Sequence, residues 1–463
     1  MTERIPERQI MEKLKSKFNL EKDFIVNYLK LAAALMLQQA IVLSVNLLDN
    51  IMIGGYSENA LAGVAIVNQM HFLFNGFFIG ITMGMAVLAS QYWGKKDRDS
   101  IEHLTSTCTY LAFFFGIVVF ALLTFIPGEL VSCFTKDGAV AAEALSYIKA
   151  IRWSYPVFAI TTILLASLRS VGVVRIAVIV SVISLFINCG CNYTLIFGHF
   201  GAPELGSYGA AIATTIARVI EFGIVLFYTF RLEKNIRFKF KNIIKIDFSN
   251  LPKIIKVCTP TLIAEISFCT GQMVQGIVLG NLSTTALAAN SIASSLYQLV
   301  KVMGVGASNA AAVAIGQAVP KGKDYSVKCC NTLQVVFICI GIAIAAVLAL
   351  VCDPVVSMYK VAPETAELAR SFIRLLCVIG LCMSYQMSCD CGIIAGGGEP
   401  SFVMKMDLCM IWLVVIPLSF LAAFKFGWPP ILVVLCLNID QILKVIPASI
   451  KTNSHTWYKD LTK

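Results

Sequence analysis

The sequence predicts an all-α polytopic membrane protein: 12 transmembrane helices in two six-helix lobes related by pseudo-twofold symmetry. Three observations carry that expectation: the composition, the recurrence of long apolar runs, and an internal repeat. Of 463 residues, 58% are hydrophobic and 14% charged, and mean hydropathy is +0.79. A soluble domain carries about 25% charge and about 45–50% apolar residues. No soluble core of this size hides so much apolar surface, and the same composition excludes a disordered chain.

A helix needs about 20 apolar residues to cross a bilayer. Runs of that length predict spans at 28–54, 60–92, 103–127, 139–168, 173–197, 207–231, 252–279, 286–318, 327–352, 364–396, 401–425 and 430–450. Barrel strands would be alternating segments of about 10 residues, and these runs are continuous. Several exceed the minimum length, which implies tilt or protrusion into water.

Basic residues set the expected orientation. Of 37 Lys and Arg, 28 fall on the side of the N terminus, three (Lys136, Lys360, Lys425) on the opposite side, and six within spans. That asymmetry predicts both termini in the cytoplasm of a cell-membrane protein. The resulting organisation is a cytoplasmic N-terminal segment 1–27, an N-lobe 28–231, a basic cytoplasmic linker 232–251, a C-lobe 252–450 and a cytoplasmic tail 451–463. Residues 1–30 are charged and amphipathic and show no signal peptide. The net charge of +10 is spread between apolar runs without a recognition motif, so nucleic acid is not an expected partner.

The two halves match at a constant offset of 226. Gly54 pairs with Gly280, Ala60-Leu61-Ala62 with Ala286-Leu287-Ala288, Gln91 with Gln317, Lys95 with Lys321, Gly172 with Gly398, and Gly201-Ala202-Pro203 with Gly427-Trp428-Pro429. Six spans per half is an even number, so the repeats share an orientation and are related by an axis along the membrane normal. Lobes that rock about a midplane site suit alternating access.

Several motifs are similar to those of one family. Leu48-Asp49-Asn50-Ile51-Met52-Ile53-Gly54-Gly55, followed by Ala60-Leu61-Ala62-Gly63-Val64, resembles the first-helix signature of the multidrug and toxic compound extrusion (MATE) transporters. Gln91-Tyr92-Trp93-Gly94-Lys95-Lys96-Asp97 resembles that family's loop after helix 2, and Leu168-Arg169-Ser170-Val171-Gly172 its helix 4–5 turn. Asn188 through Gly206 resembles its helix 5–6 region. The resemblance covers nearly the whole chain and implies an exporter of amphipathic organic cations coupled to protons or sodium, with no cofactor.

A charge near the bilayer centre costs about 2.5–3.5 kcal/mol on insertion scales, so each one needs a reason. Asp49, flanked by Asn46 and Asn50, matches the family's ion-coupling aspartate; it would also ligate the metal if the ion is sodium. Asn188 and Asn192 share a helix face at i, i+4. Some family members carry an aspartate at the second position; Asn192 could still bond a protonated carboxyl or ligate sodium. Glu265 and Asp390 are the C-half candidates for ion coupling, each about one turn from the family's usual place, and Gln386 holds the more typical helix 10 position. Gln275 is the repeat mate of Asp49. Arg218 and Glu221, at i, i+3, read as a self-neutralising pair, and His71 as a packed polar residue; Asp407 is a further C-half carboxylate and Asp440 is unassigned. Aromatic and methionine residues suit a cavity for flat cations, and the candidates are Met36, Gln39, Met70, Phe74, Tyr155, Tyr297, Met383, Tyr385 and Gln386.

Rival functions find less support. No G-x-x-x-x-G-K-[ST] sequence occurs, and Gly396-Gly397-Gly398-Glu399 lacks the lysine and hydroxyl that hold phosphate and magnesium. A lipid-linked oligosaccharide flippase of related lobe architecture is the main alternative; it would want cavity arginines for a pyrophosphate. A membrane enzyme would need a His/Asp or Ser/His cluster, and none is apparent, so the chain reads as no enzyme. The 16 cysteines lie mostly in apolar runs, and Cys189/Cys191 and Cys389/Cys391 lack a second pair at zinc-finger spacing. A monomer in the lipid bilayer is the expected state.

Overall fold

The computed structural model describes residues 22–236, 238, 251–359 and 361–463. The N-terminal stretch before Lys22, Arg237, Lys239, Lys241 and Lys245 of the basic linker, and Lys360 lie outside the described residues.

The apolar runs form helices, with no strand among the described residues. They are α1 (Lys22–Tyr56), α2 (Glu58–Gly94), α3 (Arg98–Phe125), α4 (Gly138–Ile151 and Ser154–Ser170), α5 (Arg175–Phe197), α6 (Gly206–Phe227), α7 (Leu251–Gly280), α8 (Thr284–Ala318), α9 (Lys323–Met358), α10 (Pro363–Met387), α11 (Pro400–Lys425) and α12 (Pro430–Leu437 and Ile439–Asn453). Among the described residues, nine of these are long and apolar enough to span a membrane by themselves, and the bent α4 and α12 bring the number to 11. The twelfth, α10, carries Glu364, Glu367, Arg370 and Arg374 in its first half. Arg370 is paired there with Asp353 of α9 at 3.1 Å.

Local chemistry explains the ends. Asp97, Asp137 and Ser283 cap α3, α4 and α8 by accepting from the backbone N–H groups of Ser100, Ala139 and Ala286. Proline opens α10, α11 and α12, where its missing N–H costs nothing. Two helices that the apolar runs present as continuous are bent. Pro156 has no N–H for the carbonyl of Arg152 and crowds it, so α4 bends by 56° after Ile151. In α12 the Asn438 side chain donates to the Val434 carbonyl at 2.9 Å, and the helix bends by 54° there. Four π-helical stretches follow or interrupt helices: Tyr228–Leu232, Ser388–Ala395, Cys409–Val415 and Leu421–Lys425.

The repeat seen in the sequence reappears in the backbone. Left-handed residues recur at the 226 offset: Lys96 (φ 62°) with Gly322 (φ 113°), Gly172 (83°) with Gly398 (106°), and Gly201 (82°) with Gly427 (57°). Helix starts keep the same register, as in Glu58 of α2 against Thr284 of α8.

The chain divides into two compact units, Leu37–Cys269 and the chain through Met36 with Thr270–Lys463. Thus α1 and α7 each begin in one unit and end in the other. In the first unit α2 and α7 approach closely, and Thr261 donates to the Gly80 carbonyl at 2.7 Å. In the second, Leu296, Leu348, Phe372 and Ile379 centre a buried cluster of α8, α9 and α10. After α12 the chain packs back on this unit. Trp457 is wholly buried against Gly397, where a Cβ would collide with the indole ring. The Lys459 amide donates to the Gly397 carbonyl at 2.9 Å, and the Tyr458 hydroxyl to that of Val319 at 3.1 Å. Glu399 takes Lys451 at 2.7 Å and Lys459 at 3.0 Å.

Candidate functional site

Helical periodicity aims five helices of the first unit at one point. Asn46 and Asp49 of α1 (i, i+3), Val64, Val67, Asn68 and His71 of α2, Tyr147, Ile151, Ser154, Tyr155 and Phe158 of α4, and Thr214 and Arg218 of α6 (i, i+4) line a single cavity of ≈ 60 Å³. The fifth helix, α5, supplies Asn188 and Asn192 behind Asp49. The face of α4 survives its bend, because Tyr147 and Tyr155 both reach the cavity.

Asp49 is half-buried, and Asn188 and Asn192 are buried. The Asn192 amide donates to Asp49 Oδ1 at 2.5 Å and to Asn188 Oδ1 at 3.1 Å. Asn188 in turn donates to Thr214 Oγ1 at 3.3 Å. The Asn192 carbonyl oxygen is buried with no hydrogen-bond partner among the described residues. Across the cavity His71 Nδ1 and the Tyr155 hydroxyl lie 3.2 Å apart, and Phe74 meets Tyr155 edge-on at 5.9 Å. Arg218 is held by Glu221 at 2.9 Å and rests on the Phe158 ring at 4.7 Å. Among the described residues lining the cavity, Arg218 carries the fixed positive charge; it is paired with Glu221 of its own helix and shares the cavity electrostatically with Asp49. A carboxyl among neutral amides and hydroxyls can take up a proton or a small cation. A volume of ≈ 60 Å³ suits a few waters or an ion, against about 300–1,000 Å³ for a drug-sized ligand.

The remaining sequence-derived candidates are dispersed. Met70 is buried in α2, Gln39 is half-buried in α1, and Glu265 is half-buried on α7 with its main chain beside Gly76. In the second unit, Met36 packs its backbone against Gly306, and the Tyr297 hydroxyl meets Met383 Sδ at 3.1 Å. Tyr385 donates to Gln334 Oε1 at 2.8 Å, and Gln386 to Gln441 Oε1 at 2.8 Å. Asp390 is buried in the π-helical stretch after α10, and its Oδ1 has no hydrogen-bond partner among the described residues. Asp407 and Asp440 converge on Lys444 at 2.7 and 3.1 Å. Lys444, grouped by sequence with the basic residues outside the spans, is instead buried within α12, because these two carboxylates compensate its charge.

Sequence reading missed Tyr147, Thr214, Asn68 and Arg218 as cavity walls. Their signal was present as spacing on single helices, Asn68 at i, i+3 from His71, Tyr147 eight residues before Tyr155 and Thr214 at i, i+4 from Arg218, but such spacing does not tell an inward face from a lipid-facing one. Among the described residues no group of three or more His, Cys, Asp or Glu is arranged to hold a metal.

The MatE family model matches residues 34–194 and 260–421, one segment in each repeat. The chain belongs to the MatE family. Its members are membrane transporters, so this is a multi-pass membrane transporter of small molecules. The chain is 25% identical to "Probable multidrug resistance protein NorM" of Thermotoga maritima over 395 residues, 85% of this chain and 84% of the relative. It is 26% identical to the protein of that name from Rhizobium meliloti over 405 residues (84% and 83%). The crystal structure of the eukaryotic MATE transporter AtDTX14 superposes with a TM-score of 0.82 at 18% identity, covering 95% of this chain and 98% of that one. An outward-facing multidrug resistance MATE family transporter superposes at 0.83 with 15% identity (93% and 96%). The 12-helix MATE fold is thereby shown.

Proposed function

We propose that this MatE protein is a secondary active multidrug exporter: it moves amphipathic organic cations out of the cell in exchange for protons or sodium ions, by alternating access of its two repeats. The observation that supports this best is Asp49, a membrane-embedded carboxyl in a small cavity, bonded to the neutral amide of Asn192 at 2.5 Å. Coupling needs a charge that is neutralised in one state and freed in the other, and among the described residues no fixed cation contacts Asp49 directly in the way that Arg218 holds Glu221. The names of the NorM relatives support drug-like cargo. In this reading Asp49, Asn188 and Asn192 form the ion site, with Glu265 and Asp390 next in line if gradient-driven transport survives Asp49→Asn. The aromatic and methionine residues around Tyr155, Phe74, Met70, Tyr297 and Met383 contribute to cargo recognition.

The protein acts as a monomer in the cell membrane, with lobes 28–231 and 252–450 and both termini cytoplasmic, and catalyses no reaction. A lipid-linked oligosaccharide flippase would want a free cavity guanidinium for pyrophosphate; Arg218 reaches the cavity, but Glu221 already holds it at 2.9 Å. Dye efflux decides between them. Cells expressing the chain should accumulate less of an ethidium-like dye, and dissipating the proton and sodium gradients should abolish the difference. Export that stops on ATP depletion at a maintained gradient overturns ion coupling.

A further inference from the structure

The repeat register pairs Arg218 of α6 with Lys444 of α12, again at an offset of 226. Each repeat therefore carries one basic side chain at the same place on its last helix, but the surroundings differ. Arg218 is neutralised within its own helix by Glu221 and faces a cavity with Asp49. Lys444 is 5% exposed and lies 2.7 Å from Asp407 of α11 and 3.1 Å from Asp440 of its own helix. Asp440 is the repeat mate of Thr214, a cavity wall residue in the first repeat, and Gln275 is that of Asp49. Gln441 donates to Asp440 Oδ2 at 2.7 Å and accepts from Gln386 of α10 at 2.8 Å, so the cluster ties three helices together. Asp390 faces the same ammonium and Asp407 electrostatically.

We propose that Lys444 is a tethered cation: in the second repeat its ammonium permanently fills the place of a coupling ion, so that gradient energy enters only through the Asp49 repeat. Two carboxylates that share one covalently attached cation cannot release it during a cycle. The acid that could exchange a charge, Asp49, has a neutral glutamine as its mate. Retention of a buried ion pair costs stability relative to apolar packing, and a fixed structural or switching role is its best-attested reason. Here that role is to hold the second repeat in one charge state while the first titrates. The inference rests on the antiport reading and adds which repeat is driven.

The test uses the full chain, purified and reconstituted, with three variants: Lys444→Gln, the triple Lys444→Gln/Asp407→Asn/Asp440→Asn, and Asp49→Asn. Lys444→Gln leaves Asp407 and Asp440 without their ammonium. Its melting temperature in detergent should then rise with Na+ or with falling pH against a choline control, a response smaller in wild type. Its export in choline at neutral pH should fall by more than about 10-fold, as expected for an unpaired buried charge. The triple variant keeps shape and removes all three charges, so it should fold and retain wild-type ion dependence within about 2-fold. Loss of gradient dependence in the triple variant, or its persistence in Asp49→Asn, overturns the inference. So does a Lys444→Gln protein that melts and transports as wild type does. Wild-type protein that no imposed proton or sodium gradient drives overturns the antiport reading itself, and the tethered-cation role with it.

Discussion

Asn192 donates an amide hydrogen to Asp49 across 2.5 Å while its own carbonyl oxygen stays buried with no hydrogen-bond partner among the described residues. A primary amide can serve an acid in both of its states: its N–H binds a carboxylate, and after a half-turn its oxygen accepts from the protonated form. The orphaned oxygen is the acceptor that this half-turn would bring to the protonated acid.

Removal of the acid should therefore matter more than its shape. Asp49→Asn preserves size and hydrogen bonding, and it should abolish gradient-driven dye export in vesicles while expression and melting temperature stay near wild type. Asp49→Glu should keep partial activity. Gln275→Ala, at the repeat-mate position, should be far milder.

Orientation is open to direct labelling. On a background lacking native cysteines, replacements at Glu58 and Glu204 should react with an impermeant thiol reagent from outside. Those at Lys96 and Lys405 should react only after the membrane is opened. The reverse pattern overturns the cytoplasmic placement of the termini.

Trp457 and Gly397 make another pair worth breaking. Trp457→Ala empties a fully buried site, at a cost of about 3–5 kcal/mol. Gly397→Ala drives a methyl group into the indole. Either change should lower the melting temperature and speed tryptic cleavage at Lys459; unchanged cleavage would show that the contact holds nothing.

Glu399 gives that region an acid limit. Burial works against its carboxylate, but Lys451 and Lys459 outweigh it and hold the group below the ordinary carboxylate range. A depressed native value means the stabilisation is present above the unfolded-state value of about 4.3 and fades as pH falls through the native one. Wild type should lose stability below about pH 4 more steeply than Glu399→Gln. The two should run in parallel from pH 6 to 8 on about the same argument, as thermal melts across that range would show.

The left-handed turn after α2 sits on a lysine where its mate is a glycine. Lys96→Gly should be neutral or stabilising by about 0.5–1 kcal/mol, and Gly322→Ala should destabilise by about 1–3 kcal/mol. Equal effects of the two, read by thermal melts, would mean that the turns are not conformationally equivalent.

Much of this was legible from residue order. The 226 offset located two of the paired left-handed turns, Gly172 with Gly398 and Gly201 with Gly427, because glycine marks such a turn at a fixed distance from each helix end; the Lys96–Gly322 pair shares no residue type and went unread. The i, i+4 spacing of Asn188 and Asn192 put both on the face that meets Asp49. The bends in α4 and α12 were not read: Pro156 is a kink signal set inside a long apolar run, and Asn438 carries no such signal. The Lys444 cluster was hidden for another reason. Asp407 and Asp440 come from different helices, and one-dimensional periodicity says nothing about which helices become neighbours. Tyr297 and Met383, expected from residue type alone as cargo contacts, meet each other at 3.1 Å, a pairing of two helices that periodicity within one helix does not reveal.

Trp457 is wholly buried, whereas Trp153, Trp412 and Trp428 are all exposed on the unit surfaces and Trp93 is intermediate. One indole thus sits in a fixed, dry setting beside a turn that joins two helices, and the others report on lipid or water. With those four replaced by phenylalanine, the tryptophan emission of the protein would come from the docked segment alone. Its emission maximum and lifetime would then follow undocking in real time, with no label attached.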